Sequence, residues 1–170
     1  NAILLSVIIG ISQGVQPIIG FNFGAGKNDR VKEAYIMAIK WNFVVSVIGF
    51  CLFQFFPQYI IALFGNGDEL YFEFAVLFMR TFLFMVIVNG VQVLSSNFFT
   101  AIGKAMNGLL LSLTRQVFFL IPLLLILPLF LGIFGVLLAG PIADFIAVVV
   151  SAALVRREFK RLSKTKTQTV

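Results

Sequence analysis

Asp144 and Arg115 are charged residues that lie within apolar stretches of the chain, where an unpaired charge is costly. Asp144 is in the last apolar stretch and Arg115 in the one before it. About ten residues of helix, or about 15 Å, separate Asp144 from the start of its stretch, and a bare carboxylate at that depth costs at least about 2.5 to 3.5 kcal/mol. Asp144 therefore either binds a proton or cation or acts in a gate, or it forms a structural ion pair with Arg115.

Amide and hydroxyl side chains form a second group of candidates. Asn89, Gln92 and Ser96 are spaced by three and four residues, so a helix places them on one face. Gln13 and Gln16 stand three apart in an earlier apolar stretch. Such groups bind either a polar substrate or a neighbouring helix, where one hydrogen bond contributes about 0.6 kcal/mol. The spacing leaves both roles open.

The residue types that most enzymes and metal sites need are scarce. The chain has no histidine and a single cysteine, Cys51, so imidazole ligands and an internal disulfide are excluded within it. It also contains no phosphate-binding loop and no nucleophile elbow. The sequence predicts no enzyme, no metal site and no cofactor; the one small ion expected is a coupling H⁺ or Na⁺.

The composition is that of a membrane protein. Hydrophobic residues make up 60% of the chain and charged residues 12%, with a mean hydropathy of +1.04. Soluble domains are nearer half apolar and a quarter charged. The net charge of +6 comes from lysines and arginines that flank the apolar stretches. This distribution favours a lipid bilayer as partner and argues against nucleic acid.

Stretches of roughly 20 apolar residues predict transmembrane helices, and their continuity argues against strands. The predicted fold class is an all-α integral membrane protein with five spans, at residues 2–23, 34–56, 71–101, 109–127 and 134–155. Pro128 follows the fourth span, and residues 57–64 are predicted to form a short interfacial helix before a turn. The domain organisation is a transmembrane lobe over 1–155 and a basic tail over 156–170.

Small residues and proline predict where helices approach or bend. Gly10 and Gly14, and likewise Gly20 and Gly24, have the spacing at which helices pack closely. Pro122 lies inside the fourth predicted span, where it removes a backbone donor and favours a kink.

Lysine and arginine are concentrated on one side of the predicted helices. They follow the first, third and fifth spans, at Lys27, Arg30, Lys32, Lys104 and in the tail. The connections on the other side lack both residue types. The positive-inside rule places the basic regions in the cytoplasm. The chain is therefore predicted to be a multi-pass protein of the plasma (inner) membrane with a cytoplasmic C-terminus.

The stretch GISQGVQPIIGFNFGAGKNDRVKEAY resembles a segment of the multidrug and toxic compound extrusion (MATE) transporters. The matching residues are Gln13, Gly14, Gln16, Pro17, Gly20, Asn22, Gly24 and Ala25. FFTAIGKA, LTRQVFFLIPLLLILP and GVLLAGPIADF follow in the order that the family shows. The resemblance is greatest to the branch that contains MepA and DinF-type exporters.

The resemblance implies that the chain is helices eight to twelve of a twelve-helix, two-lobe transporter, whose N-terminal lobe is its partner. It implies cation-coupled (H⁺ or Na⁺) efflux of small organic, often cationic, compounds by alternating access. Gln13 and Gln16 then border the central cleft. With the amide stripe, the candidate transport-pathway residues are Gln13, Gln16, Asn22, Asn89, Gln92 and Ser96.

One position departs from the family's pattern. Asn89 stands where sodium-coupled members often carry an aspartate, and an amide cannot release a proton. Ion coupling through this lobe is therefore in question. Two other functions stay open: a flippase for lipid-linked oligosaccharides from the same superfamily, and a membrane receptor or scaffold that transports nothing.

Overall fold

The computed structural model describes residues 2–63 and 68–167, with side chains through Ser163. Of the turn predicted over residues 65–68, all but Asp68 lies outside these ranges. The helices in chain order are α1 (Ala2–Gly24), α2 (Asn28–Phe55), α3 (Pro57–Ala62), α4 (Glu69–Phe82), α5 (Val86–Ala101), α6 (Ala105–Leu113), a π-helical segment (Thr114–Leu120), α7 (Ile121–Leu131) and α8 (Ile133–Thr167).

Four helical stretches in the described ranges are long and apolar enough to cross a bilayer. They are α1, α2, the run from α6 through α7, and α8. The bent pair of α4 and α5 is a fifth span if the two are counted together. The predicted all-α membrane fold with about five spans is confirmed.

The third span is not continuous, and its prediction as one helix over residues 71–101 was wrong. α4 and α5 meet at an angle of 49°. At the break, the backbone N–H of Phe84 bonds the carbonyl of Thr81, three residues back. The Arg80 carbonyl instead accepts a hydrogen bond from Gln54 Nε2 of α2, at 2.9 Å. A side chain from a neighbouring helix thus satisfies a carbonyl released by the break, as membrane interiors require.

The fourth span ends later than predicted. Pro128 lies inside α7, which continues to Leu131. Gly132 then ends the helix with a φ of +55°, a backbone conformation that favours glycine, and its N–H bonds the Pro128 carbonyl at 2.9 Å. The glycine, rather than the proline, stops the helix, because proline in a membrane helix is tolerated where neighbours compensate.

The π-helical segment interrupts the same span, just before the predicted kink at Pro122. The N–H of Ile121 bonds the carbonyl of Gln116, five residues back. Proline has no N–H to offer the carbonyl four residues before it, so the regular ladder cannot continue unchanged through this turn. The irregularity predicted near Pro122 is therefore present as a π-helical segment.

Two boundaries next to the basic regions also differ from the prediction. α2 begins at Asn28 rather than near residue 34, because a tight turn forms in which the Lys27 N–H bonds the Asn22 carbonyl at 2.9 Å. α8 continues without interruption to Thr167. The first part of the predicted tail is therefore helical.

α5 lies at the centre of the bundle and packs against α1, α2, α6 and α8. A cluster of buried residues surrounds the C-terminal half of α5. The aromatic centre of this cluster consists of Tyr35, Phe98 and Phe159. Their ring centroids are 5.1 Å (Tyr35–Phe98), 5.3 Å (Tyr35–Phe159) and 5.4 Å (Phe98–Phe159) apart. Edge-on packing of this kind joins α2, α5 and α8 into one unit.

Among the described residues, close helix approach occurs at one of the four glycines that the spacing singled out. A Cβ at Gly20 would lie 3.2 Å from the Ala101 carbonyl oxygen. At Gly10, Gly14 and Gly24 a Cβ would meet nothing within 4 Å in the described chain. These three positions lie on a face of α1 that the described helices leave open, so close packing there stays a prediction.

Candidate functional site

Asp144 and Arg115 form an ion pair. Arg115 lies in the π segment and Asp144 in α8, and Arg115 Nε donates a hydrogen bond to Asp144 Oδ1. The Asp144 side chain is 7% exposed and that of Arg115 is 26% exposed. The pair ties the irregular turn of the fourth span to the last helix.

This arrangement supports two kinds of chemistry. A carboxylate with so little exposure needs the guanidinium to remain charged, so the pair acts as an anchor between helices. Protonation of Asp144 would remove that attraction and release Arg115, whose side chain is partly exposed. π-Helical turns occur frequently at functional sites, because they change the direction of side chains and loosen the backbone ladder.

The amide stripe of α5 is largely used for helix packing. Gln92 Nε2 donates to the Leu111 carbonyl at 3.1 Å, and Ser96 Oγ donates to the Gly108 carbonyl at 2.7 Å. Asn89 is also buried, with 4% exposure. Two of the three predicted pathway residues on this helix therefore bind the backbone of α6.

The predicted residues of α1 are placed differently. Gln13 is exposed and Gln16 is half-buried. Asn22 Nδ2 donates to the Ile18 carbonyl of its own helix at 2.8 Å. The exposed face that contains Gln13 is uncovered by any described helix; its other members are Gly10, Gly14, Pro17, Ile18 and Phe21. The α1 candidates are thus exposed or half-buried, whereas Asn89 and Gln92 of α5 are buried.

A groove of about 500 Å³ between α1 and α2 includes Asn22. Its polar lining combines that amide with Arg30 and Glu33, and Met37 and Trp41 lie one and two turns further along α2. A groove that offers a positive charge, a negative charge and an indole next to apolar surface suits an amphipathic organic compound. Sequence reasoning missed this groove, although the four-residue spacing of Glu33, Met37 and Trp41 places them on one face of α2.

A larger cavity lies at the other end of the bundle, between α2, α3 and α4. Its volume is about 610 Å³ and its lining is almost wholly apolar. The aromatic members on α4 are Tyr71, Phe74, Phe78 and Phe82. Among 21 phenylalanines the sequence offered no means of selecting Phe74, Phe78 and Phe82.

A buried polar track crosses from α1 to α2. Asn42 Nδ2 donates to Ser12 Oγ at 3.2 Å, and Ser12 Oγ donates to the Ile8 carbonyl at 2.8 Å. Asn42 Oδ1 and Ser46 Oγ are buried without a hydrogen-bond partner among the described residues. Native structures usually complete such oxygens with an ordered water or an ion. The four-residue spacing of Asn42 and Ser46 was the available signal.

These features define a class of protein: a multi-pass helical membrane protein with interrupted spans and polar groups within them. Residues 1–126 match the sequence profile of the MatE family, and the chain belongs to this family. The resemblance identified from the sequence is confirmed.

Two curated relatives and two solved structures place the chain within the family. It is 25% identical over 175 residues to a FAD transporter of Shewanella oneidensis, covering 100% of this chain and 37% of that protein. It is 26% identical to the multidrug export protein MepA of Staphylococcus aureus, covering 88% and 32%. The chain spans about a third of the length of these relatives.

Among solved structures, the MATE multidrug transporter DinF-BH superposes with a TM-score of 0.85 at 33% identity, over 91% of this chain and 34% of that one. An inward-facing MATE transporter of the MOP superfamily gives a TM-score of 0.89 at 20% identity, over 96% and 38%, and supports the fold.

Proposed function

We propose that the chain is helices eight to twelve of a two-lobe multidrug efflux antiporter, driven by H⁺ or Na⁺ and working by alternating access. The observation that carries this proposal is the 33% identity to the multidrug transporter DinF-BH over 91% of the chain. The partner is the N-terminal lobe, and the substrates are small organic compounds. The location is the plasma (inner) membrane.

The uncovered face of α1 supports this assignment. It carries a glutamine, two glycines and a proline between apolar residues, where a lipid-facing helix would normally be uniformly apolar. Transporters of this kind place their binding sites between repeats that move against each other. We assign Gln13, Gln16 and the groove at Asn22 to the transport pathway. Gln92 and Ser96 support it by holding α5 to α6.

A flux measurement tests the proposal. Liposomes that contain the intact transporter should move a lipophilic organic cation when an H⁺ or Na⁺ gradient is imposed. Liposomes with this chain by itself should show no flux above protein-free vesicles, because one wall of a cleft cannot alternate access. Gradient-driven flux by the chain by itself would refute the two-lobe mechanism. Inactivity of the intact protein toward every gradient and cation would refute antiport.

The proposed orientation makes a separate prediction about labelling. In a Cys51→Ala background, single cysteines are placed by Lys27→Cys, Asp68→Cys and Ser163→Cys, all at exposed positions. With a membrane-impermeant thiol reagent on intact cells, only the cysteine at position 68 should react, since basic regions remain inside. All three should react after permeabilisation. Labelling at position 27 or 163 in intact cells would contradict the orientation.

A second candidate substrate class is an organic anion, as the name of the Shewanella FAD transporter suggests. The observation that favours it is Arg80, an exposed arginine in the last turn of α4. It is about 16 Å along the helix from Glu69, between the exposed apolar residues Leu77 and Phe84. A guanidinium there needs a polar or anionic partner, and phosphate groups are suitable ones.

Exchanging the charge of Arg80 separates the two substrate classes. Arg80→Gln in the intact transporter should lower export of FAD about tenfold, the loss expected for one charge-assisted hydrogen bond, and leave export of a lipophilic organic cation unchanged. Arg80→Lys should retain part of the FAD activity. Equal losses for both substrates would assign Arg80 a structural role. Gln54, which bonds the Arg80 carbonyl, must stay in place in both variants.

A further inference from the structure

We propose that the part of α8 which leaves the membrane forms a binding surface for the anionic headgroups of phospholipids in the adjacent leaflet. The surface consists of Arg156, Arg157 and Lys160, and we call it the basic face. The inference rests on the proposed topology for the identity of that leaflet, which is then the cytoplasmic one.

The basic face lies at the depth of lipid headgroups. α8 begins at Ile133. A hydrocarbon core of about 30 Å takes up about 20 residues of helix, so the core ends near Ala153. The headgroup region extends about 5 to 7 Å further on each side. Arg156 and Arg157 lie within it, about 4.5 and 6 Å beyond Ala153, and Lys160 lies just past it, about 10 Å beyond Ala153. Their side chains are long enough to reach phosphate oxygens from there.

The extension is held in place by contacts with two other parts of the bundle. Asn28 Nδ2, at the start of α2, donates to the Leu162 carbonyl at 3.0 Å. Lys104, between α5 and α6, forms an ion pair with Glu158. Phe159 packs against the rings of Tyr35 and Phe98. The helix is therefore fixed in rotation, and its outer face is determined.

The fixed rotation of α8 determines which charged side chains face the bundle and which face outward. Glu158 is the only acid in the sequence after Asp144, and its side chain is 7% exposed and paired inward with Lys104. Arg156, Arg157 and Lys160 are exposed. The outer face of the extension is thus basic without an acid among its described residues, an arrangement that the sequence order R-R-E-F-K does not reveal. Arginine adds a fork of donors that matches phosphate geometry.

The other basic region on this side of the bundle is of mixed sign. Lys27, Arg30 and Lys32 are exposed, and so are Asp29 and Glu33 between and after them. Acids among the cations weaken the attraction for an anionic surface. Charge complementarity therefore favours the basic face over this loop, although both carry three cations.

Lipid titration of the purified chain in a neutral detergent tests the inference. Native mass spectrometry counts bound phosphatidylglycerol and, separately, bound phosphatidylcholine. The wild type should bind phosphatidylglycerol at least about tenfold more tightly, and the preference should shrink as the ionic strength rises. The triple variant Arg156→Gln, Arg157→Gln, Lys160→Gln should lose that preference.

A matched control removes the same charge from the mixed-sign region and leaves Arg30 of the α1–α2 groove in place. Lys27→Gln, Lys32→Gln, Lys40→Gln, all at exposed positions, should change phosphatidylglycerol affinity less than about twofold. Lys160→Glu is a milder second variant that leaves the arginines in place and should lower affinity partway; thermal unfolding confirms that each variant is folded. Equal losses in the two triple variants would overturn the proposal, and so would the absence of a phosphatidylglycerol preference in the wild type. Inhibition of lipid binding by equimolar free glycerol phosphate would also overturn it, because the site would then read a soluble phosphate rather than a membrane surface.

Discussion

Asp144→Asn is expected to lower the free energy of unfolding by about 3 to 5 kcal/mol, because it leaves the Arg115 guanidinium without its carboxylate. The partial exposure of Arg115 favours the lower end of that range. Chemical or steric-trapping unfolding in bicelles measures the change. Glu73→Gln is a control that removes an acid from an exposed position and should alter stability by less than about 0.5 kcal/mol.

The double variant Asp144→Asn with Arg115→Gln separates an ion pair from a general intolerance of change. Both remaining groups are then neutral amides, so part of the lost stability should return. If the double variant is less stable than Asp144→Asn, the two residues do not stabilise the fold through each other.

Transport measurements on the same variants test the other role of the pair. If Asp144 exchanges protons during the cycle, Asp144→Asn folds normally and its efflux no longer depends on a proton gradient. We favour the anchor, since the structure places the guanidinium directly on the carboxylate and joins the π segment to α8. A stable Asp144→Asn protein with gradient-independent efflux would make Asp144 the coupling site.

Gly108→Leu should destabilise the bundle by about 3 kcal/mol or more, because α5 and α6 meet at this glycine backbone to backbone. A Cβ at this position would lie 2.6 Å from the Ser96 carbonyl oxygen and 2.8 Å from Thr100 Oγ1. The larger side chain would also break the hydrogen bond from Ser96 Oγ to the Gly108 carbonyl. Loss of the α5–α6 contact should appear as a lower midpoint of thermal unfolding in detergent.

Gly14→Leu is the matched control for this prediction. A Cβ at Gly14 meets nothing within 4 Å in the described chain, so the same substitution replaces a helical glycine by a better helix former without a clash. Its stability should match or exceed that of the wild type by up to about 1 kcal/mol. In the intact transporter, Gly14→Leu should reduce flux, since this face of α1 is assigned to the pathway. Equal destabilisation by both substitutions would show that close packing is not what Gly108 provides.

The helical class and the number of spans could be read from the sequence because both depend on local quantities. A stretch of about 20 apolar residues needs every backbone group bonded within itself, and only a helix does this in a single segment. The family followed from motifs such as QGVQP and their order. The depth of Asp144 and Arg115 in adjacent stretches was enough to suggest that they pair, since an unpaired charge at that depth is costly.

Interruptions of the spans depend on neighbours and were missed for that reason. The break between α4 and α5 is stabilised by Gln54, which is 26 residues away from Arg80 in the chain. Composition along residues 71–101 contains no sign of that donor. In the same way, Pro128 was a reasonable stop on local grounds, yet the helix continued to Gly132.

The roles of the polar residues were decided by tertiary structure. Spacing placed Asn89, Gln92 and Ser96 on one face, but only the position of α6 determined that two of them bond its carbonyls. Spacing also treated Gly14 and Gly20 alike, whereas one lies open and the other touches α5. A helical period determines which residues share a face, and that is a property of the chain itself. What the face meets depends on the packing of helices distant in sequence, and in this protein that packing turned Glu158 inward and left Arg156, Arg157 and Lys160 outside.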